Sequence, residues 1–421
     1  MSNFEYPHVS VIGLGYIGLP TAAVVANSGC TVVGVDVSAQ VVETINRGGV
    51  HIEEADLESL VKEMVEAGRL RATTTPEQAD VFVIAVPTPF HDGPERQPDT
   101  SYVMGAVRTV APVIKRGDLV IVESTCPVGT TEAVRDLLAE MRTDLKMPAA
   151  GTDGADIAIA YCPERVLPGK IIRELRENDR SIGGITSTCS DAAMAFYSLF
   201  VEGSCIATTA RTAEMVKLVE NSFRDTNIAF ANELSVISDK LGLDVWEVIS
   251  LANRHPRVNI LQPGPGVGGH CIAVDPWFIV SSAPEEARLI RMAREVNDAK
   301  PEFVMAKARS LLDSAGPDAT LACLGLAFKA NIDDFRESPA LKIALDLARE
   351  YANRVVIVEP HIEQLPPPFD GTGARLVDLE MALENSQAIL LLVDHDAFKV
   401  IKSDSIAGKN FYDTRGVLHQ P

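Results

Sequence analysis

The chain has 421 residues, of which 46% are hydrophobic and 23% are charged, and its formal net charge is −20 at pH 7. A chain of this length is expected to fold as two or three domains. The negative charge excludes the broad basic face that nucleic-acid binding requires, so no nucleic-acid partner is expected, and an anionic ligand would need a few local Lys and Arg residues.

Cysteine spacing and the first apolar segment limit the class of protein further. The seven cysteines are scattered without a Cys-x-x-Cys pair, which indicates neither a metal site nor a disulfide framework and suits a reducing compartment. Residues 9–35 carry no charge, but five glycines, Pro20 and Asn27 interrupt them, so we expect strands and a helix there rather than a membrane span. Residues 1–8 lack the Lys or Arg that opens a secretory signal. We therefore predict a cytoplasmic protein.

The first predicted elements are typical of dinucleotide binding. A strand over residues 8–12 leads into Gly-Leu-Gly-Tyr-Ile-Gly at residues 13–18, and a helix over residues 19–27 follows. The glycines permit a tight turn and let a pyrophosphate lie on the helix N-terminus. The next strand, residues 31–35, ends at Asp36, whose carboxylate would accept hydrogen bonds from a ribose diol and repel a 2′-phosphate. We therefore predict NAD as the cofactor, in preference to NADP.

Polar residues follow three further predicted strands. The strands at residues 80–86, 119–122 and 157–161 are followed by Thr88, Thr125, Glu164 and Arg165. In a parallel α/β sheet, ligands bind at the carboxyl ends of the strands, so these side chains are candidates for a site. Each of them, taken singly, is better explained as an ordinary loop residue.

A long helix is predicted over residues 212–241, which contain no Gly or Pro. A helix of this length suits one that joins domains or pairs with a partner subunit. Lys217, Asn221 and Arg224 share one face of it. A solvated face is the usual explanation, but two cations flanking an amide also suit a phosphate or a developing oxyanion.

A glycine-rich loop follows at residues 264–276, with four glycines in its first six positions. It delivers His270, Cys271 and Asp275 in quick succession. A cysteine thiolate can act as a nucleophile when nearby groups activate it. The alternative is a glycine-rich turn with a buried structural cysteine.

The rest of the chain predicts helices and then a second α/β region. One helix is expected over residues 285–299, and Pro301 is expected to begin another. Strands are then expected at residues 321–324, 355–358 and 388–393.

The predicted fold class is therefore α/β, with two Rossmann-like doubly wound domains joined by a central helical region that contains the long helix. The expected boundaries are residues 1–210, 211–315 and 316–421.

Six blocks of sequence, in order along essentially the whole chain, resemble the nucleotide-sugar 6-dehydrogenases. They are the glycine turn with Asp36, Glu-Ser-Thr-Cys-Pro-Val-Gly at residues 123–129, Tyr-Cys-Pro-Glu-Arg at 161–165, Glu-Met-Val-Lys-Leu-Val-Glu-Asn-Ser-Phe-Arg at 214–224, the Cys271 loop, and Gly-Leu-Ala-Phe-Lys-Ala-Asn-Ile-Asp-Asp-Phe-Arg-Glu-Ser-Pro at 325–339. Several ordered blocks are more specific than any one of them.

The resemblance implies an NAD-dependent, four-electron oxidation of a sugar C6 alcohol to a carboxylate, through a thiohemiacetal and a thioester on Cys271. It implies Asp275 as the base for thioester hydrolysis, and Lys217 and Asn221 as stabilisers of the reacting oxygen. Glu164, with Thr125, matches a position that supports the active-site water.

The binding positions implied by the resemblance divide into two sets. Those for NAD are Gly13, Gly15, Tyr16, Ile17, Gly18, Asp36, Thr88, Thr125 and Arg336. Those for a UDP-sugar substrate are Arg165, Val166, Lys217, Asn221, Arg224, His255, Arg257, Gly268 and Lys329. The long helix suggests a homodimer, and the resemblance implies that Arg257 reaches across the dimer interface.

Some alternatives remain open at these positions. Arg336 could instead form a salt bridge with Asp333 or Asp334. Cys126 and Cys162 are rival thiols, since both lie close to strand ends. His270 could tune Cys271 or simply pack.

Residues 254–277 resemble most closely the branch of the family that acts on UDP-N-acetyl-D-mannosamine, in surface polysaccharide synthesis. The UDP-glucose branch carries Ser and Lys where this chain has His270 and Val274. The same chemistry on UDP-N-acetylglucosamine or UDP-glucose is the alternative, and a remote alternative is a nucleotide-sugar or NAD sensor without turnover.

Overall fold

The structure is a computed structural model that describes residues 8–52, 54–91, 93, 96–149, 151, 154–167, 169–269 and 271–419. It divides into two compact units. The first contains the residues up to Glu220 together with Trp277–Ser282, and the second contains Asn221–Pro276 and the residues from Ala283 onward. The three-part division expected at residues 210 and 315 stays a prediction.

The first unit is built on a sheet to which the described residues contribute eight strands. These are β1 (His8–Ile12), β2 (Thr31–Val35), β3 (Leu70–Thr73), β4 (Val81–Ile84), β5 (Leu119–Val122), β6 (Ala158–Tyr161), β7 (Arg180–Gly184) and β8 (Cys205–Thr209). Their spatial order is β3-β2-β1-β4-β5-β6-β7-β8. The pairs are parallel except β6 with β7, which is antiparallel.

Helices connect these strands and cover the sheet. They are α1 (Gly18–Asn27), α2 (Ala39–Asn46), α3 (Leu57–Glu66), α4 (Ser101–Val110), α5 (Thr130–Met141), α6 (Ile171–Glu177) and α7 (Ser187–Tyr197). The apolar side chains of the strands are divided between two clusters. One cluster contains Val9 and Val11, and the other contains Ile12 and Phe82. Because side chains alternate along a strand, this division shows that both faces of the sheet are buried, as in a doubly wound fold. The strand order reverses between β1 and β4, where such folds bind ligands.

The second unit contains a sheet of five parallel strands in the order β11-β10-β9-β12-β13, counted over the described residues. The strands are β9 (Leu321–Leu324), β10 (Val355–Val358), β11 (Arg375–Leu376), β12 (Ala388–Leu391) and β13 (Asn410–Asp413). Helices α12 (Pro339–Glu350) and α13 (Leu379–Asn385) accompany this sheet. The α/β fold with two Rossmann-like sheets is thereby confirmed.

The predicted long helix is also confirmed. Helix α8 (Ala210–Leu241) has 32 residues; it begins in the first unit and continues into the second. Helices α9 (Val245–Ala252), α10 (Asp275–Ser282) and α11 (Arg288–Ala315) follow it. None of the helices in the described ranges is long and apolar enough to cross a membrane.

One boundary prediction was wrong: α11 continues through Pro301, where a new helix was expected. A proline inside a helix removes one backbone hydrogen bond and costs about 3 kcal/mol. Contacts with α8 hold the helix together on the N-terminal side of Pro301, since buried Arg294 and Asn297 both bond to Asp225. Buried Val304 anchors the following turn in the core of the second unit. These contacts outweigh the local preference of proline for a helix start.

Candidate active site

The glycine turn after β1 has the geometry that dinucleotide binding needs. Gly13 has φ +91°, and a Cβ there would lie 2.7 Å from the carbonyl oxygen of Ala85. A Cβ at Gly18 would collide with the carbonyl oxygen of Gly13, whereas a Cβ at Gly15 would have no neighbour within 4 Å. The turn therefore packs tightly at its two ends and is open in the middle, where a pyrophosphate would approach α1. The residues present fit NAD.

Asp36 is held beside this turn. Its Oδ2 accepts a hydrogen bond from the Leu14 N–H at 3.0 Å, and its Oδ1 accepts one from the Ser38 N–H at 2.9 Å. The two hydrogen bonds therefore fix the direction of the carboxylate, as binding of a ribose diol requires. Within the turn, Ile17 immediately precedes α1, and Tyr16 packs against the first apolar cluster.

Thr88 and Thr125 join the ends of two neighbouring strands. The Thr88 hydroxyl donates a hydrogen bond to the Thr125 carbonyl, which ties the segment after β4 to the segment after β5. These two predicted cofactor residues are thus adjacent at the carboxyl edge of the first sheet. Contact of either residue with NAD stays a prediction.

Glu164 lies in a buried ion pair that the sequence did not reveal. Its Oε2 accepts a hydrogen bond from Arg180 Nη1 at 2.7 Å, and its Oε1 accepts one from the Arg165 N–H at 2.6 Å. Arg180 and Glu164 are 1% and 6% exposed. Both carboxylate oxygens of Glu164, which is predicted to support the active-site water, are therefore held by hydrogen bonds within the first unit. The available signal was an arginine at the first position of a short strand, β7, whose other residues carry no charge.

A second buried carboxyl, Glu123, lies close to this ion pair. It accepts a hydrogen bond from the Tyr197 hydroxyl at 2.6 Å and another from the Thr21 hydroxyl at 3.4 Å. Burial, and then the charge of Glu164, raise the pKa of Glu123 to about 7, against the opposing effect of Arg180. The sequence marks Glu123 as part of a motif, and its position directly after a buried strand is the signal that could have identified it.

The other predicted residues of the first unit are less enclosed. The Arg165 guanidinium pairs with Glu220, at 2.7 Å between Nη2 and Oε1. Val166 packs against the first apolar cluster. Lys217 is half-buried on α8 and forms no ion pair with any residue in the described ranges. Their contacts with a substrate stay predictions.

In the second unit, the glycine-rich loop contacts other segments of the chain at Gly264 and at Gly268. The Gly264 N–H donates to Asn232 Oδ1 at 2.9 Å. A Cβ at Gly268 would lie 2.6 Å from the Glu337 carbonyl oxygen and 3.0 Å from Phe328 Cβ. Glycine is therefore required at Gly268 by close approach of another segment of the chain.

Cys271 and Asp275 are brought together at the end of this loop. The Asp275 N–H donates to the Cys271 carbonyl at 2.9 Å, which forms one helical turn that continues into α10. Residues four apart in a helical turn lie on one side of it. The Asp275 carboxylate, 2% exposed, accepts a hydrogen bond from the Asn221 amide of α8. Three of the predicted catalytic residues are thus neighbours within one unit. His270, which was considered as a modulator of Cys271, lies outside the described residues.

The three candidate thiols differ in their exposure to solvent. Cys271 is exposed, whereas Cys126 and Cys162 are both fully buried. Burial raises the pKa of the Cys162 thiol to about 12, so it stays protonated at neutral pH. Among the two rivals and Cys271, the geometry favours Cys271 as the reactive thiol.

The remaining predicted binding residues belong to three segments of the second unit. Arg224 is exposed on α8, and His255 and Arg257 are exposed in the segment after α9. Lys329 is exposed in the loop between β9 and α12. Arg336, predicted to lie near the cofactor, pairs with Asp334, at 2.9 Å between Nε and Oδ1. The salt bridge considered as its alternative is therefore present.

Family models match almost the whole chain. The NAD binding domain of the UDP-glucose/GDP-mannose dehydrogenase family matches residues 7–201, its central domain matches residues 211–299, and its UDP binding domain matches residues 322–420.

Individual relatives are similar over nearly their full length. The chain is 56% identical to an NDP-N-acetyl-D-galactosaminuronic acid dehydrogenase of Ralstonia nicotianae, covering 99% of this chain and 97% of that protein. It is 55% identical to the UDP-N-acetyl-D-mannosamine dehydrogenase of Escherichia coli K12, covering 98% and 99%. The solved structure of a UDP-D-ManNAc dehydrogenase from Pyrococcus horikoshii superposes with a TM-score of 0.87 at 40% identity, covering 98% of this chain and 96% of that one.

Proposed function

Because this chain belongs to the UDP-glucose/GDP-mannose dehydrogenase family, we propose that it catalyses the NAD-dependent, four-electron oxidation of UDP-N-acetyl-D-mannosamine at C6. The product is the corresponding uronic acid, a precursor for surface polysaccharide synthesis. The observation that carries the reaction is the arrangement of the second unit, in which an exposed Cys271 lies one helical turn from the buried pair of Asp275 and Asn221.

The proposed reaction passes through a covalent intermediate on Cys271. Loss of a hydride and a proton converts the C6 alcohol into an aldehyde, and the Cys271 thiolate adds to its carbonyl carbon to give a thiohemiacetal. Loss of a second hydride gives a thioester, which retains the sugar while water approaches. NAD, when bound, would accept one hydride, so two NAD molecules would be needed in succession for the two hydrides. Water then hydrolyses the thioester, which releases the carboxylate and regenerates the thiol.

The remaining groups act on charge and protons. Asp275 takes a proton from the attacking water, and the Asn221 amide fixes the direction of its carboxylate. Lys217 and Asn221 stabilise the negative charge that develops on the reacting oxygen. Glu164, oriented by Arg180, supports the water. Arg224, Arg257 and Lys329 are exposed cations suited to the diphosphate of a UDP sugar, which arginine binds through two parallel hydrogen bonds.

The choice of UDP-N-acetyl-D-mannosamine as substrate is supported by similarity to relatives and by two positions of the glycine-rich loop. Relatives at 55% identity are UDP-N-acetyl-D-mannosamine dehydrogenases. His270 and Val274 replace the Ser and Lys typical of the UDP-glucose branch. A second candidate is an N-acetylgalactosamine-type sugar, because a relative at 56% identity is an NDP-N-acetyl-D-galactosaminuronic acid dehydrogenase.

The test is a stoichiometric measurement. Purified protein is incubated with NAD and a limiting amount of UDP-N-acetylmannosamine, UDP-N-acetylglucosamine, UDP-N-acetylgalactosamine or UDP-glucose, and the NADH formed per sugar is counted. Two NADH with the mannosamine compound, and little with the others, supports the whole proposal. Two NADH with another sugar retains the reaction and overturns the substrate, whereas binding of UDP without NADH formation supports the sensor alternative.

We further propose a homodimer formed through α8. Exposed apolar residues recur along one side of this helix at spacings of four and seven: Met215, Val219, Phe223, Phe230, Ile237 and Leu241. An apolar stripe of this length is typical of a protein interface, and a second copy of the chain presents the same stripe for a twofold contact. A cytoplasmic location is supported by the exposed Cys271 thiol, which suits a reducing compartment.

A further inference from the structure

The loop at residues 325–337, between β9 and α12, connects two parts of the proposed substrate site. It carries Lys329, which is exposed. It also carries Phe328, which supports the glycine-rich loop: a Cβ at Gly269 would lie 3.2 Å from the Phe328 ring. The position of this one loop therefore affects both a predicted phosphate ligand and the backbone that leads to Cys271.

Glu359 holds the beginning of the loop. It directly follows β10, and its side chain is fully buried. Its Oε2 accepts hydrogen bonds from the Leu326 N–H at 2.7 Å and the Ala327 N–H at 3.3 Å. Although burial acts to raise it, the pKa of Glu359 lies below its ordinary value, because hydrogen bonds from His395 and from backbone N–H groups stabilise the carboxylate. Glu359 is therefore an anchoring anion.

His395 holds the middle of the loop and contacts Glu359. It follows β12 and is 0% exposed. Its Nδ1 accepts a hydrogen bond from the Asn331 N–H at 2.9 Å, and its Nε2 lies 3.2 Å from Glu359 Oε2. Asn331 has φ +61°, a left-handed conformation that costs free energy for a residue with a side chain. The contact with His395 helps to hold it there.

The hydrogen bonds of His395 also show whether Glu359 and His395 form a structural pair or part of a metal site. Glu359, His361 and His395 offer ligand atoms within 4.8 Å of one another. Because Nδ1 of His395 accepts from a backbone N–H, its proton must lie on Nε2, where it is donated to Glu359. A metal ion bound to Nε2 would displace that proton. The neutral ring would then carry its proton on Nδ1, which could no longer accept the hydrogen bond from the Asn331 N–H. The geometry therefore favours the hydrogen-bonded pair.

We infer that Glu359 and His395 are positioning residues for nucleotide-sugar binding, because together they hold the loop that presents Lys329 and supports Gly268. Neither side chain touches the substrate. The inference rests on the function proposed above. It predicts a larger effect on binding of the UDP sugar than on binding of NAD, because Glu359 and His395 bond to the first half of the loop, whereas Arg336, the predicted NAD residue of this loop, is held by Asp334.

Two conservative substitutions divide the role of His395. His395→Gln keeps a donor towards Glu359 and loses the acceptor for the Asn331 N–H, whereas His395→Asn keeps that acceptor and loses the donor. Glu359→Gln removes the anchoring charge. His361→Gln is the matched control, since this exposed histidine lies next to the pair without bonding the loop. For each variant, KM for the UDP sugar, KM for NAD, kcat, the Kd for UDP by calorimetry and Tm are measured.

We expect the His395 and Glu359 variants to raise the sugar KM and the Kd for UDP by roughly fivefold to tenfold, the effect of one lost hydrogen bond. KM for NAD should change less than twofold, and His361→Gln should match the unmodified chain. A lower Tm with unchanged sugar KM, or an equal rise in both KM values, would overturn the inference while the unmodified chain still forms uronic acid. If the unmodified chain neither binds UDP nor forms NADH with any UDP sugar, the proposed function fails with it.

Discussion

The side-chain amide of Asn221 donates a hydrogen bond to the carboxylate of Asp275, although 54 positions separate the two residues in the chain. Both are buried, at 9% and 2% exposure. A buried carboxylate beside a fixed donor keeps one orientation, and that is what a base needs to accept a proton from a defined water. Asn221 therefore has two proposed tasks, one towards Asp275 and one towards the reacting oxygen.

Replacing this donor by a second carboxylate is the sharpest test of the pair. In Asn221→Asp, two like charges would face each other in a buried site, which raises the pKa of one member of the pair. We expect kcat for uronic acid formation to fall by roughly 100-fold at neutral pH, and the acidic limb of the pH–rate profile to move to higher pH. Steady-state kinetics from pH 6 to 10 would show this.

The matched control is Asn227→Asp on the same helix, where the amide bonds to the Phe223 carbonyl one turn earlier. It adds the same charge to α8 away from Asp275. A similar loss of kcat in both variants would mean that charge on the helix, and not the Asp275 contact, determines the rate.

Chemical labelling tests the choice of nucleophile. Under native conditions we expect iodoacetamide to modify Cys271 first, and activity to fall in step with that modification, because alkylation needs an accessible thiolate. Burial raises the pKa of the Cys162 and Cys323 thiols to about 12, so both should react only after unfolding. Peptide mapping by mass spectrometry identifies the modified residue. Labelling of Cys126 or Cys162 that parallels the loss of activity would contradict the assignment.

Substitution gives an independent result for the same residue. Cys271→Ser should form no uronic acid, since a serine hydroxyl is not a thiolate, while it retains the fold and the affinity for UDP. Cys205→Ser, at a partly exposed thiol on β8, is the control and should keep normal turnover. Uronic acid formation at the normal rate by Cys271→Ser would rule out the thioester route.

Glu123 predicts how stability depends on pH. Its pKa is about 7 in the folded chain against 4.5 ordinarily, so the folded state binds the proton more tightly. The contribution of Glu123 to the free energy of unfolding therefore decreases as pH rises from about 4.5 to 7, and it is lost above pH 7. The difference corresponds to roughly 3 kcal/mol at most. Glu123→Gln, which stays neutral, should therefore gain in Tm over the unmodified chain between pH 5 and pH 8.

Glu66→Gln, at an exposed glutamate ending α3, serves as the control and should show a constant Tm difference over that range. Thermal melts at four pH values are sufficient. If the Glu123→Gln difference is also constant, Glu123 is ionised throughout and the buried cluster must be neutralised in another way.

The sequence predicts well what is encoded locally. The glycine turn, Asp36 and the strand ends that carry Thr88 and Thr125 follow from patterns within about thirty residues, and the structure places them at one edge of the first sheet. The long helix α8 is predicted equally locally, because residues 212–241 contain no Gly or Pro to interrupt it. The glycines of the glycine-rich loop indicate a candidate site for the same reason.

Contacts between distant segments could not be predicted. The Glu164–Arg180 pair and the Glu359–His395 pair each join two strand ends whose neighbours depend on sheet order. The break expected at Pro301 failed for a related reason, since the contacts of Arg294 and Asn297 with α8 overrule a local signal. The sequence predicts burial of a charged residue only when the residue that pairs with it is known.

The apolar stripe on α8 predicts the oligomeric state. Phe223 and Phe230 are 68% and 50% exposed in the single chain, and covering both against a second copy would remove two large apolar surfaces from water. We expect sedimentation to show a dimer, and Phe223→Asp with Phe230→Asp to give a monomer, because two charges in an apolar interface are costly to desolvate. If Arg257 reaches the partner's site, the monomer should also lose most of its turnover while it still binds NAD. A control with two charges at exposed Leu289 and Met292 on α11 should remain a dimer, and a monomeric unmodified chain with full activity would contradict the role given to α8.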